Sequence, residues 1–173
     1  MTLLKIARLG HPVLRRVAAP VPDPTAPEIV RLAADMIETM NDAPGIGLAA
    51  PQVHVSLRVV VFRVPGERGG KKVDPTVLIN PEIEAVGDEL VDAWEGCLSV
   101  PGLRGGVTRP KIIRYRGYGV DGALVEREVD GLHARVVQHE TDHLDGLVYL
   151  DRMLDMQLLV FESEMRHMIN DDE

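Results

Sequence analysis

The sequence predicts an α+β fold, and three observations carry that prediction. After one N-terminal helical stretch, β-branched and strand-like runs occupy the middle of the chain with no helices alternating between them. Asp121-Gly122 sits between two such runs and is the strongest hairpin signal in the chain, which makes the pair antiparallel. A helix-period segment containing His139-Glu140-Thr141-Asp142-His143 comes only after these strands, and a further apolar stripe at helical spacing follows it. Strands first, then a buried helix and a C-terminal helix, is the order of an α+β protein and not of βα units.

Length and composition set the frame. A chain of 173 residues with 45% hydrophobic content buries one sizeable core, so residues 1–173 are expected to form a single domain. The net charge of −8 opposes any role built on broad phosphate binding, and no nucleic-acid partner is expected. No apolar run reaches the ~18 residues that a membrane span requires, and the first residues lack the long apolar segment of a signal peptide. A cytoplasmic protein without membrane attachment is the expectation. The single cysteine, Cys97, cannot form an internal disulfide and is left for chemistry or packing.

Taken in order, residues 2–24 hold four prolines and read as an extended arm lying over the core. Thr25-Ala26-Pro27-Glu28 has the pattern of a capping box, and Ile29, Leu32, Ala33, Met36, Ile37 and Met40 then recur at helical spacing until Asn41-Asp42-Ala43-Pro44. Gly45 to Gln52 is a compact run whose glycines allow close approach to the backbone. Arg58 to Val64 is a strand, Pro65 to Pro75 an exposed loop, and Thr76–Asn80 and Glu82–Trp94 two strands separated by Pro81. Lys111–Tyr118 and Ala123–Val129 form the hairpin. Asp130-Gly131 opens the next helix and Gly146 closes it, while Leu154, Leu158, Phe161, Met165 and Met168 mark a last one.

Chemistry concentrates in the penultimate helix. Residues four apart lie about 40° apart around a helix, so His139 and His143 stack on one face, where two imidazole nitrogens converge on one ion. Glu140 on the flank of that face can move protons without becoming a ligand. A solvated helix face with incidental histidines has the same spacing, so the motif alone does not decide. A catalytic metal needs a third protein ligand. Glu162 or Glu164 would complete a zinc peptidase site, whereas Cys97 would supply a soft thiolate. His11, His54, His133 and His167 read as surface or satisfied side chains, with His133 a candidate for the rim of the site. Trp94 reads equally as core or as pocket wall.

Three segments, Gly45-Ile46-Gly47-Leu48-Ala49-Ala50-Pro51-Gln52, Glu95-Gly96-Cys97-Leu98-Ser99 and Gln138-His139-Glu140-Thr141-Asp142-His143, resemble in sequence and order the signature motifs of the peptide deformylases. Gly10-His11-Pro12-Val13-Leu14-Arg15 is similar to that family's N-terminal segment, so the resemblance spans roughly residues 6–152. It implies antiparallel strands wrapped around a central helix that carries H-E-x-x-H. It also implies removal of the formyl group from N-formylmethionyl peptides, the nascent chains, with release of formate. By the same resemblance Cys97, His139 and His143 match the metal ligands and Glu140 the general acid/base. Gln52 and the Leu98 N–H match donors to the oxyanion, Gly47 a backbone contact to substrate, and Arg104 an arginine near it. Ile46, Leu132 and Val136 would form the apolar methionine pocket. Fe(II) is the implied metal, with Zn, Ni or Co as substitutes, since imidazole and thiolate suit several of these ions.

Two features depart from the common pattern. Ala134-Arg135 puts a charge where many members carry an aliphatic residue, as a subgroup including organellar-type enzymes also does. Residues 151–173 hold 7 acidic against 2 basic side chains, a net −5, which opposes a ribosome contact through this tail. A non-catalytic nascent-chain binder is the remaining alternative, but it would not need Glu140 and Gln52. Glu95 and Arg109 resemble a charge pair of the same family.

Overall fold

The computed structural model describes residues 2–66 and 71–169. Its elements are α1 (Pro27–Asp42), β1 (Gly47–Ala49), β2 (Val59–Val64), β3 (Val73–Ala85), β4 (Leu90–Cys97), β5 (Val100–Pro110), β6 (Ile112–Tyr118), β7 (Leu124–Asp130), α2 (Gly131–Leu144), β8 (Leu159–Phe161) and α3 (Met165–Ile169). All strands named here pair antiparallel, in one sheet ordered β1-β2-β3-β6-β7 and a second ordered β4-β5-β8.

Strand β2 explains the layering. Its alternate residues Val59 and Val61 pack with Ile29, Met36 and Met40 of α1, while Val60, Phe62 and Val64 pack with Val136 and Val137 of α2. With both faces covered, it reads as an unbroken apolar run. Helix α2 is buried from Ala134 to Leu144 because the second sheet closes over its other side. Arg135 donates to the carbonyls of Val107 and Val91, and Gln138 donates to that of Pro110. Its end matches the expected stop, with Gly146 at φ 75° just past the cap.

The N-terminal arm lies over the core as expected, and it ties down two loops of the site. Ala7 N–H donates to Gln52 O at 2.7 Å and Leu9 N–H to Ser99 O at 2.8 Å. Arg58 reaches Asp145 at the far end of α2.

Several local expectations differ from the structure. The capping box at Thr25 does not form: its hydroxyl bonds Asp23, Ala26 is the cap residue, and Pro27 alone marks the start of α1. Pro81 does not divide two strands. It lies in β3 beside a register shift between Ile79 and Glu82, where Asn80 has φ 53°, and such a bulge tolerates the missing N–H. The break comes at residues 86–89 instead, so Val86–Glu89 is not part of the strand expected there. Val73 to Pro75 belong to β3, while residues 67–70 of the expected loop lie outside the described residues. Strand β5, full of glycine and proline, is not among the strands that the sequence predicts. The C-terminal helix is present but short, since Leu159–Phe161 of the apolar stripe pairs as β8 with β5.

His133 does not reach the rim of the site. It sits between Phe62 and Tyr115, with the Tyr115 hydroxyl 3.2 Å from its Nε2. Burial disfavours its cationic form and lowers its pKa to about 4, helped by the nearby charge of Arg127. Unfolded histidine takes a proton near pH 6.5, so the folded state loses stability as pH falls from there towards 4. An NMR titration should find this imidazole neutral at pH 6 with a midpoint near 4, and a midpoint above 6 would contradict its burial.

Candidate active site

Two segments meet where β4 ends beside α2. The register of β4 against β5 shifts between Glu95 and Cys97, and Leu98-Ser99 forms the tight turn into β5. Cys97 Sγ lies 3.3 Å from His143 Nε2, and the donor atoms of Cys97, His139 and His143 all fall within 4.8 Å of one another. Among the described residues this is the one such group, so neither Glu162 nor Glu164 joins the histidines. Glu162 instead pairs with Arg104 at 2.6 Å, and Glu164 is exposed.

Can this group hold a metal? Bonds of about 2.0–2.3 Å in tetrahedral geometry put neighbouring donor atoms roughly 3.3–3.8 Å apart, which matches the Cys97–His143 approach. The Nδ1 of His139 faces Glu95 Oε2 at 2.8 Å, leaving Nε2 for an ion. A carboxylate holding the outer nitrogen of a metal-binding histidine is the usual arrangement behind such sites. Burial pushes the Cys97 thiol up, but the charge of His143 and contacts with both histidines outweigh it and hold the thiol well below its ordinary range. A soft anion and two imidazoles therefore converge, and the residues fit a divalent transition metal.

Glu140 is 4% exposed, and its Oε2 is buried without a hydrogen-bond partner. Burial raises its pKa to about 7 against the opposing pull of His139 and His143, so the carboxyl changes protonation near neutral pH. It lies directly against Gly47, where any side chain would collide with the carboxylate. Gln52 is fixed by its neighbours: Oε1 accepts from Ala49 N–H at 2.8 Å, so the amide NH2 faces Ser99 Oγ at 3.1 Å and Cys97 Sγ at 3.4 Å.

These groups open on a cavity of about 540 Å³. Ile46, Gly47, Gln52, Cys97, Leu98, Arg104, Leu132, Val136, His139 and Glu140 all line it, while His143 lies behind them, 1% exposed. Trp94 also lines it, so of its two readings the pocket wall is the one that holds. Ile46 and Leu132 are partly buried against the α2 side of the core and make the inner wall apolar.

Behind the histidines runs a buried ionic chain. Arg109 grips Glu95 with Nε at 2.6 Å and Nη2 at 3.0 Å, and its Nη1 bonds Asp142 at 2.9 Å. Arg152 holds the other side of Asp142 at 2.6 Å. The expected Glu95–Arg109 pair is thus present, and Asp142, Arg152 and Arg135 extend it. Arg135 Nη1 donates to Glu95 Oε1 at 2.7 Å. Arg135 precedes His139 by four residues on the same helix face, and that spacing was the available signal. Arg135 lines the cavity, and its charge is directed to the carboxylate that faces His139.

Known proteins resemble this chain over most of its length. The family model described as polypeptide deformylase matches residues 3–158. Peptide deformylase 1 of Bordetella pertussis is 52% identical over 156 residues, covering 87% of this chain and 88% of its own. Peptide deformylase 1 of Xanthomonas campestris is 45% identical over 166 residues, covering 94% and 97%. A Met-Ala-Ser-bound crystal structure of a class I type b peptide deformylase from Acinetobacter baumannii superimposes with a TM-score of 0.82 at 36% identity, covering 88% of this chain and 99% of that one. With similarity running from the N-terminal arm to the threshold of β8 and little of either relative left unmatched, this chain belongs to the polypeptide deformylase family of hydrolases.

Proposed function

We propose that residues 1–173 act as one catalytic domain that removes the formyl group from N-formylmethionyl peptides, the ends of nascent chains, and releases formate. The observation that carries this reading is the meeting of Cys97, His139 and His143 beside the buried, unpartnered Glu140 at the floor of one cavity. Cys97, His139 and His143 are the proposed ligands. A divalent ion held by them supplies Lewis acidity and makes a water-derived nucleophile available at neutral pH.

The remaining roles belong to the chain itself. Glu140 accepts a proton during attack and returns it to the departing amine, a role suited to a carboxyl titrating near 7. Gln52, its NH2 end held towards the sulfur by Ala49, and the Leu98 N–H in the β4–β5 turn are the proposed donors to the developing oxyanion, each worth about 3–4 kcal/mol. Ile46, Leu132 and Val136 would receive the methionine side chain, and Gly47 leaves its backbone open to the peptide. Arg104 lies at the mouth. The related Acinetobacter protein was crystallised with Met-Ala-Ser bound, which supports a peptide ligand for this chain.

Fe(II) is the proposed metal, with Zn, Ni and Co as substitutes, because the donor set suits these ions and the family resemblance favours iron. Ribosome docking by the acidic C-terminal segment is disfavoured by its charge. No helix among the described residues is long and apolar enough to cross a membrane.

The test is formate release from formyl-Met-Ala-Ser by iron-, nickel- and zinc-loaded protein, followed in air and under argon with the mass of the Cys97 peptide. Iron-loaded protein should lose activity in air while zinc-loaded protein keeps its activity, because zinc has no redox chemistry and a thiolate beside iron is open to oxidation. Equal decay for all three ions would remove the iron–thiolate explanation. Cys97→Ala should lose most bound metal by elemental analysis, and full occupancy would overturn the ligand assignment.

A further inference from the structure

The mouth of the cavity carries a charge pair whose acidic member comes from the C-terminal segment. Strand β8 pairs with β5 through Leu103–Phe161, Arg104–Val160 and Gly105–Leu159. That pairing delivers Glu162, the next residue, onto the cavity wall beside Arg104. The Arg104 Nη2 donates to Glu162 Oε1 at 2.6 Å, and both side chains stay partly open to solvent, 36% and 57% exposed. The pair is nonetheless close to the chemistry. A Cβ on Gly96 would come within 2.5 Å of Arg104 Nη1, so the guanidinium lies on the backbone immediately before Cys97.

A peptide held by its formyl end at Cys97, His139 and Glu140 and running out along the β5 side of the cavity passes Arg104 and Glu162, which line that side. Extended chain advances about 3.3 Å per residue, so the side chains one and two places after methionine pass the Arg104–Glu162 pair. Arg104 alone would present an uncompensated cation there, attracting acidic peptides and repelling basic ones. Glu162 cancels most of that field. Beside the pair, Trp94, Pro101, Gly102 and Leu103 are uncharged; of the other carboxyls lining the cavity, Glu95 is engaged by Arg109, Arg135 and His139, and Glu140 lies against Gly47 and not beside Arg104.

We infer that Glu162 is a specificity-determining residue of the deformylation reaction proposed above, neutralising Arg104 so that peptides with acidic and basic residues after formylmethionine are processed alike. It acts on the bound peptide and not on the reacting atoms. Its effect therefore belongs in KM and diminishes with added salt, since the pair is half exposed.

The experiment measures kcat and KM of metal-loaded protein on formyl-Met-Ala-Ser and on its analogues with Asp or Lys at the second and third positions. Wild-type protein should discriminate little between Asp and Lys. Glu162→Gln should shift the ratio of kcat/KM towards the Asp peptides by about three- to fivefold, the scale of one exposed charge contact, with kcat little changed. Glu162→Lys should shift it further, and added salt should reduce both shifts. An active wild type whose preference is unaltered in both variants overturns this proposal alone. An equal loss of kcat on all peptides also overturns it, since that outcome makes the pair a structural prop. A wild type that releases no formate from any peptide overturns the parent reading, and this one with it.

Discussion

Glu140→Gln should retain its metal and lose formate release by about 10²–10⁴-fold, the range expected when a positioned proton carrier is removed. The side chain keeps its size, so the packing against Gly47 survives. What disappears is a group that can gain and lose a proton near neutrality. Glu140 is suited to that role because it is buried, one carboxylate oxygen has no hydrogen-bond partner, and its pKa is raised to about 7. An amide at the same position neither accepts the proton of the attacking nucleophile nor gives one to the leaving amine. Elemental analysis beside a formate assay separates the two functions of the helix. A variant without metal would make Glu140 a ligand, and a variant with more than about a tenth of wild-type kcat would assign the proton transfer elsewhere.

That this residue and its neighbours could be singled out in the sequence follows from the resemblance of three contiguous segments to the family's motifs, since helix spacing alone does not decide for a metal. The H-E-x-x-H spacing fixes relative positions within one helix, and Gly45–Gln52 and Glu95–Ser99 are contiguous segments whose order alone was informative. All the residues they pointed to meet in one place, with His143 just behind the cavity wall. Elements whose conformation depends on distant partners were harder to read. Strand β5 carries no strand signal in the sequence, yet a Cβ at Gly105 would meet Met153 and Tyr149, and one at Gly106 would meet Leu158. These positions are glycine because other side chains fill the space. The stripe from Leu154 to Met168 has helical spacing, but Leu154 is 88% exposed and Phe161 65% exposed, so no core receives that face. Pairing with the edge of β5 decides the matter there. Arg135 shows the same limit inside a correctly assigned helix: its charge was visible, while its carboxylate partner is 40 residues away in sequence.

Glu95→Ala should destabilise the fold by about 3–5 kcal/mol, the cost of breaking a buried ion pair from one side. Glu95 is the shared acceptor of three donors: Arg109, Arg135 and His139 Nδ1. All four groups are buried, so water cannot replace the lost carboxylate without rearrangement. Arg109 would keep Asp142, and Arg135 would keep the carbonyls of Val107 and Val91, which places the cost below that of two fully orphaned guanidinium groups. Urea unfolding in the presence of a chelator, with the slope of the transition unchanged, measures this cost apart from metal binding. The pH dependence gives a second test. Burial raises the Glu95 pKa, but hydrogen bonds and charge from His139 and Arg109 outweigh it and hold the carboxyl well below the usual range. Its stabilisation is therefore complete above the unfolded value of about 4.3 and is lost as pH falls from there through the folded pKa. The wild-type advantage over Glu95→Ala should shrink below about pH 4 and hold steady between about 5 and 8. Because the same carboxylate fixes the His139 ring, metal affinity should also weaken by about 10–100-fold in the variant. A variant within about 1 kcal/mol of wild type and equal in metal affinity would mean that Arg109 and Arg135 can be held by their remaining partners alone.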